Sequence, residues 1–433
     1  LSHIAIVGGG FSGVLQAIQL LRQTQASVTL VERAGRLARG VAYSTRHGEH
    51  LLNVRASGMS AFPEAPDHFV RWLRERGGEA TAFAERRLYG RYLEDLLAGA
   101  KEAGTGRLKT VAGEVVDIVR GNGGELVRLA DGSAIAADAV ILSLGNLEPE
   151  VPRGIDPAEL AGIYVSDPWA GDIAAGLGEG DTVLLIGTGL TAIDAALILD
   201  AADFRGRIVA ISRRGLVPRP HAEPAAPPAL ERSFEPRCAP LIRSVREQAE
   251  RIGWRAAVDQ LRPLTQALWS SAPTMERRRF LRHLRPYWDV HRHRIAPEIA
   301  ARIAGMERDG RLRFAAGRLL SATPAGVTWR PRASREPQQL PVARIVNCTG
   351  PQSDIARAGE TLLDNLLRSG RIRADGCRIG IDVDPANRAV DAGGSACASL
   401  FAIGPMTRGA RWEIVAVPDI RVQVAGLAAQ LAR

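Results

Sequence analysis

Lysine is almost missing from this chain: of 433 residues only Lys101 and Lys109 carry an ammonium group, and the formal charge of +9 comes from arginine spread along the whole length. A basic excess without a cluster leaves no electrostatic footprint for nucleic acid, so no such partner is expected. Cysteine is scarce too. The four thiols, Cys238, Cys348, Cys377 and Cys397, include no Cys-x-x-Cys or similar close pair, which excludes a disulfide framework, a cysteine zinc site and the dithiol of a disulfide reductase. No apolar run approaches the roughly 20 residues that span a bilayer, so no membrane partner is expected. Leu1-Ser2-His3-Ile4 leads straight into a strand pattern instead of a basic-then-apolar leader, and the expectation is a cytoplasmic protein. Of the histidines in the arginine-rich stretch, His283, His291 and His293, the last two stand roughly 200° apart around a helix, and no metal site is expected.

What the chain does have is glycine placed between strands and helices, in a length that suffices for two or three domains. Residues 4–7 read as a short apolar strand, glycines follow at once, Val14 to Leu21 carry helical spacing, and Val28 to Val31 return to a strand. The same order recurs at Thr182 to Ile186, Gly187 to Gly189, Thr191 to Leu199 and Ile208 to Ile211. A duplicated unit means two nucleotide folds in one chain. Between them, 68–101 reads as helices, 108–119 and 125–129 as strands, and Val140 to Leu144 as a buried strand. Dense proline over 218–236, with Pro218, Pro220, Pro224, Pro227, Pro228 and Pro236, predicts an extended linker or loop. Residues 239–305 read as a helical insertion, strands resume over 312–346, and Leu400 to Ile403 precedes a glycine and a final helix.

Gly8-Gly9-Gly10-Phe11-Ser12-Gly13 has the G-x-G-x-x-G spacing between strand and helix. Its glycines serve the tight turn (Gly8), the close approach of a pyrophosphate (Gly10) and the packing of helix on strand (Gly13), with Phe11 and Ser12 opening the helix. Glu32, at the end of the second strand, is placed to accept hydrogen bonds from an adenosine ribose. The second motif, Gly187-Thr188-Gly189-Leu190-Thr191-Ala192, ends in alanine, which the pattern permits. Where the first fold has Glu32, this one has Ser212-Arg213-Arg214. Guanidinium groups there pair with a 2′-phosphate and favour NADPH over NADH; the competing reading is two solvated arginines in an arginine-rich chain.

At these residues a resemblance covers essentially the whole length. Gly8 to Gly13, Arg39 to Thr45, His50 to Val54 with Met59-Ser60, Gly187 to Ala192, Asn347 to Pro351, and Gly404 to Arg408 through Arg421 resemble bacterial FAD/NAD(P)-binding proteins related to class B flavin-dependent monooxygenases. The resemblance implies FAD reduced by NADPH from a second, inserted fold. It implies that Arg39-Gly40 to Tyr43 and Leu52-Asn53-Val54 run along the FAD pyrophosphate and isoalloxazine. Asn53 is then the candidate catalytic residue, its amide beside the reactive flavin nitrogen; the alternative is a turn asparagine ordering its own backbone. Gly145 and Gly350 mark the two crossings between folds. Gly404 lies by the ribityl phosphate, and a proline-started helix carrying Pro418 and Ile420 turns its positive end to the flavin pyrimidine. Glu413 is either a flavin-site acid or orders its loop by pairing with Arg408 or Arg421. Gly162-Ile-Tyr164-Val-Ser166-Asp167-Pro168-Trp169 resembles the linker fingerprint of these monooxygenases without its histidine, which weighs against Baeyer–Villiger chemistry.

The expected fold class is α/β with two Rossmann-like dinucleotide-binding folds, the second inserted into the first. The expected units are an FAD part at 1–165, an NADPH part at 175–345 containing a helical insertion at about 220–305, and a return segment at 346–433. The leading functional expectation is an FAD- and NADPH-dependent monooxygenase that hydroxylates or N-oxygenates a small molecule with molecular oxygen, as monomer or homodimer. An NADPH-dependent flavin reductase or dehydrogenase and a non-enzymatic flavin redox sensor remain as alternatives. The aromatics Trp254, Trp269, Tyr287 and Trp288 read as core, and the insertion that carries them is where substrate contacts are expected.

Overall fold

A computed structural model describes residues 1–121, 123–222 and 234–433. Short apolar segments that are buried on both faces assemble into parallel sheets, because only flanking helices can cover them. The first sheet runs Arg388–Val390, Ala396–Ala402, Ala139–Leu142, His3–Val7, Ser27–Glu32, Leu108–Ala112, parallel except for its first pair. Its central register sets Ile4 beside Val28 and Val140 beside Ala5. One face is covered by the helices Phe11–Gln23, Arg86–Ala103 and Val417–Leu431, whose Leu15, Ile18, Tyr89, Leu93 and Val424 are buried with Ile4 and Ile6. The other face packs Ala5, Val7, Val31 and Val140 against a three-stranded antiparallel sheet, Val115–Gly121 to Ala134–Ala137, and the helix Thr361–Arg368.

The second sheet repeats the plan. Its order is Gln338–Leu340, Gly326–Pro331, Leu312–Thr323, Arg207–Ser212, Thr182–Ile186, Arg344–Asn347, Tyr164–Val165. In both sheets the strand before the glycine turn sits between the strand that follows its helix and a strand that arrives later from the crossing, so the duplicated pattern in the sequence is a duplicated topology. The helices Leu190–Ala201 and Pro297–Arg308 cover one face.

Two expectations change. Residues 297–305, assigned to the insertion, belong to the helix Pro297–Arg308 that forms the layer of the second fold: Ile299, Ile303 and Met306 are buried with Ile193, Ile208 and Leu312. The insertion proper is the lobe of helices from Cys238–Ile252 to Arg285–Arg292. Second, Tyr164–Val165 pairs with Ile345 and Val346, so the tail of the 1–165 unit belongs to the second sheet. The start of the proline-rich stretch is the expected extended loop, held by Arg219 N–H donating to the Val290 carbonyl and Ile295 N–H to that of Arg219; Pro224, Pro227 and Pro228 lie outside the described residues. Among the described residues no helix is long and apolar enough to cross a membrane.

The two folds are tied at Asp194, in the helix that follows the second glycine turn. Its carboxylate pairs with Arg86 of the first fold at 2.8 Å, both side chains mostly buried. Its backbone carbonyl lies 3.2 Å from Nε2 of the fully buried His50, whose Nδ1 meets Thr45 Oγ1 at 2.7 Å. Removing one partner of a buried pair strands the other charge, at a cost of about 3–5 kcal/mol. Asp194→Ala is therefore expected to lower the thermal midpoint by several degrees; an unchanged midpoint in calorimetry would show that the pair does not hold the folds.

Candidate functional site

Both glycine turns divide their glycines between packing and open space. A side chain on Gly13 would place its Cβ 1.9 Å from the Gly8 carbonyl oxygen, and one on Gly8 would stand 2.4 Å from Ser143 O. Gly8 also has φ +102°. These glycines let helix Phe11–Gln23 seat on its strand. Gly187 repeats the arrangement, φ +128° with a Cβ 2.3 Å from Cys348 O. Gly189, by contrast, has nothing within 4 Å of where a Cβ would stand, and Gly10 meets only the Cα of Gly40 at 3.6 Å. Each of these last two is the N-cap of its helix, with no side-chain cap and no acid in the first turn. Uncapped N–H groups and the positive helix end make both positions ready for a phosphate.

Beside the first turn, Glu32 accepts from Gly9 N at 2.6 Å and from Ala34 N at 2.9 Å. The carboxylate is thereby fixed and keeps lone pairs to spare. Beside the second turn, Thr188 Oγ1 donates to Leu216 O and lies 2.8 Å from Ser212 Oγ, which accepts from Gly215 N. This braced corner presents Arg213, exposed, and Arg214, over the ring of Tyr287 at 5.5 Å. Neither pairs with a carboxylate among the described residues.

The folds enclose a cleft of about 560 Å³. It gathers Tyr43, Leu52, Asn53 and Val54 from the first fold, Gly187, Gly189, Leu190, Thr191, Arg213 and Arg214 from the second, and Gly350 from the return crossing. Gly145 and Gly350 have φ of +69° and +83° with open space around them. Gly404 packs against Ser12, its Cβ position 2.6 Å from the hydroxyl, so these two residues bring the last strand against the first helix. Tyr43, edge-on to Phe11 at 6.1 Å, is buried, and burial pushes its phenol well above the usual range. The Asn53 carbonyl accepts from His221 Nε2 at 3.0 Å, while its side-chain amide makes no hydrogen bond with the described residues. It is not ordering its own backbone.

Other candidates fall elsewhere. The Arg39 guanidinium is engaged by Glu94 at 2.6 and 2.9 Å, an arrangement compatible with this loop meeting a ligand through its backbone. Ile420 is buried in the first core and its N–H closes the helix turn on Ala416. The cleft is lined instead by Val415, Ala416 and Val417, just ahead of Pro418 in the first turn. Glu413 pairs with neither Arg408 nor Arg421. It accepts from Trp288 Nε1 at 2.8 Å and lies 3.2 Å from Arg292 and 3.7 Å from His293, all from the insertion.

Two groups bordering the cleft were not among the expected cofactor contacts. Arg408 is buried, and burial, reinforced by Arg285, pulls it down to about 10. Its contacts to Ser353 and Asn146 are long, 3.4 Å each, and Nε has no partner. His293 is pushed down by burial against the pull of Glu413. A buried guanidinium with unfilled donors, two uncapped helix ends and a fixed carboxylate together fit a dinucleotide carrying phosphates, ribose hydroxyls and a polar ring edge. The cleft also holds Cys348, whose buried thiol is pushed far up.

Residues 5–147 match the model of a family described as FAD-NAD(P)-binding. No curated protein sequence matches the chain. Among solved structures, the ornithine N-hydroxylase of Kutzneria sp. 744, with reduced FAD, NADP+ and L-ornithine, is similar over 100% of this chain and 99% of its own, at 17% identity and a TM-score of 0.64. The L-lysine 6-monooxygenase of Pseudomonas syringae matches over 100% and 99%, at 18% identity and 0.65. The thioredoxin reductase of Lactococcus lactis, also 100% and 99% covered, is 14% identical with a TM-score of 0.57. At such identities the likeness is one of fold.

The two kinds of glycine separate in a melting experiment. Gly13→Ala is expected to cost about 3 kcal/mol or more, since backbone must move to admit the methyl. Gly189→Ala is expected to melt with the parent protein; equal losses in both would refute the division.

Proposed function

We propose that the chain is an FAD-dependent oxidoreductase that takes its electrons from NADPH and uses molecular oxygen to oxygenate a small organic molecule. FAD is assigned to the fold built from 1–165 and 346–433, less the strip that joins the second sheet, and NADPH to the fold within 175–345. The observation that carries this reading is that the cleft sets the second open glycine turn, with Arg213-Arg214, against Tyr43, Leu52, Asn53 and Val54 of the first fold, whose own open turn, with Glu32 beside it, reaches that wall through Phe11, edge-on to Tyr43. Similarity to an ornithine N-hydroxylase whose structure holds reduced FAD, NADP+ and L-ornithine supports it.

FAD, when bound, supplies the hydride acceptor and the centre that passes electrons to oxygen. The protein's own groups do the rest. Gly10 and Gly189 admit phosphates to the helix ends, and Glu32 accepts from ribose hydroxyls with the lone pairs left over from Gly9 and Ala34. Arg213 and Arg214 hold a 2′-phosphate. Asn53, its amide uncommitted in the cleft, orients the polar edge of the ring. Buried Arg408 favours negative charge there, and the helical lobe, joined to the cleft rim through Glu413, keeps water out. The four thiols are all free, and the one in the cleft is held protonated by burial, which leaves no dithiol for disulfide reduction.

Oxygen uptake and peroxide release, measured together with NADPH, test the oxygenation. Peroxide is expected without substrate and is expected to fall as product forms when one is supplied. Peroxide formed one for one with NADPH across amines, ketones and apolar compounds would instead favour a reductase. For the cofactor choice, Arg213→Ala/Arg214→Ala is expected to raise the KM for NADPH about tenfold to a hundredfold, each charge-assisted bond being worth about 1.5–3 kcal/mol. The KM for NADH should hardly move; a parallel rise would place the arginines elsewhere.

A further inference from the structure

We propose that the helical lobe is the pocket for the body of the substrate, and that this substrate is an uncharged apolar small molecule, aromatic or long-chain aliphatic, rather than a charged amino acid. The word substrate rests on the reading above; the pocket stands on its own geometry.

The helices Cys238–Ile252, Trp254–Leu261, Thr265–Ser271, Thr274–His283 and Arg285–Arg292 surround a cavity of about 530 Å³, in the size range of small-molecule sites. Its wall includes Leu241, Val245, Val258, Leu268 and Trp288. Trp412 reaches into it from the C-terminal segment, stacked on Trp269 at 4.8 Å and edge-on to Phe280 at 5.3 Å. Trp412 also lines the cofactor cleft. The two spaces thus share one wall, the Trp412 indole, so a molecule seated in the lobe lies one indole away from the cleft assigned to the flavin.

Charge decides the class of molecule. The ionic groups on this wall are already committed: Glu276 accepts from Cys238 N and pairs with Arg279, and Arg277 donates to the carbonyls of Ala272 and Ser270. His291 Nδ1 faces Tyr287 O at 2.7 Å. Arg237 and Arg246 are exposed, with their heads screened by water. An amino-acid head group buried here would have to draw Glu276 away from Arg279 and Arg277 away from its carbonyls, and a buried charge without a partner of its own is strongly disfavoured. An apolar body gains from covering half-exposed leucine, valine and tryptophan surface. The cleft beyond Trp412 has the opposite character, bordered by Arg285, Asp289, His293, Arg408 and Glu413.

The test uses FAD-loaded protein without NADPH, titrated with the uncharged fluorophore N-phenyl-1-naphthylamine. Saturable binding of one probe per chain is expected, displaced by 1-dodecanol and not by L-ornithine or L-lysine. Ala249→Phe fills the cavity and Val245→Asp charges it; each is expected to weaken the probe at least about tenfold while retaining bound FAD, seen in its visible absorbance. If one variant fails to fold, the other decides. Unsaturable binding, displacement by the amino acids, or affinity unchanged in the folded variants would overturn the proposal. Bleaching of the parent flavin by NADPH is read separately: its failure with probe binding intact removes the cofactor reading and leaves the pocket, and the reverse result removes the pocket alone.

Discussion

One buried carboxylate holds the working geometry. Asp194 lies in the helix whose bare N-terminus faces the cleft, and it is gripped from the first fold by Arg86 through an ion pair and by His50 through its own carbonyl. A helix end is useful to a phosphate only if it points at the right place, so this attachment sets where a nucleotide on the second fold meets one on the first. The same loop continues to Leu52, Asn53 and Val54, and His221 ties it back to the second fold. The cleft wall and the clamp between the folds are therefore one stretch of chain. A buried ion pair is an uncertain source of stability, yet well suited to fixing one arrangement against others.

A second attachment closes the cleft from above. Glu413, at φ +69°, is held in a left-handed turn and accepts from Trp288 beside Arg292. Trp269 adds a hydrogen bond to Gly409 O at 2.8 Å. The lobe is thus hung on the segment between the last strand and the last helix, and Trp412 stands at the junction. Charged groups collect on the cleft side of that indole and apolar ones on the lobe side. This is the arrangement expected where a charged cofactor has to meet an uncharged substrate.

How much of this was legible in sequence follows the range of the interaction involved. The strand, glycine turn and helix are local, and both copies, with Glu32 and Arg213-Arg214 at their strand ends, were found where the pattern put them. The helix Pro297–Arg308 was read into the insertion because arginine-rich helical periodicity runs through 239–305 without a break; only packing of Ile303 and Met306 on the second sheet separates it. The partners of Glu413 lie in the insertion, more than a hundred residues away, so local reading leaves it open between a flavin-site acid and a partner of Arg408 or Arg421. The partner of the Arg39 guanidinium, Glu94, is likewise distant in sequence, and Ile420 turns inward because its helix buries that face. Arg408 ends one of the stretches that carry the resemblance, and its burial, which no local pattern gives, sets it apart from the other arginines.

The central claim is that two nucleotides meet in one cleft, with the second fold choosing the phosphorylated form. Anaerobic rapid mixing of FAD-loaded protein with NADPH tests it most directly, read as loss of the flavin's visible absorbance in a single turnover. Prompt bleaching is expected, with NADH at least about tenfold slower, as the loss of paired guanidinium–phosphate contacts requires. A flavin that stays oxidised with NADPH, or is bleached equally fast by both, would contradict it.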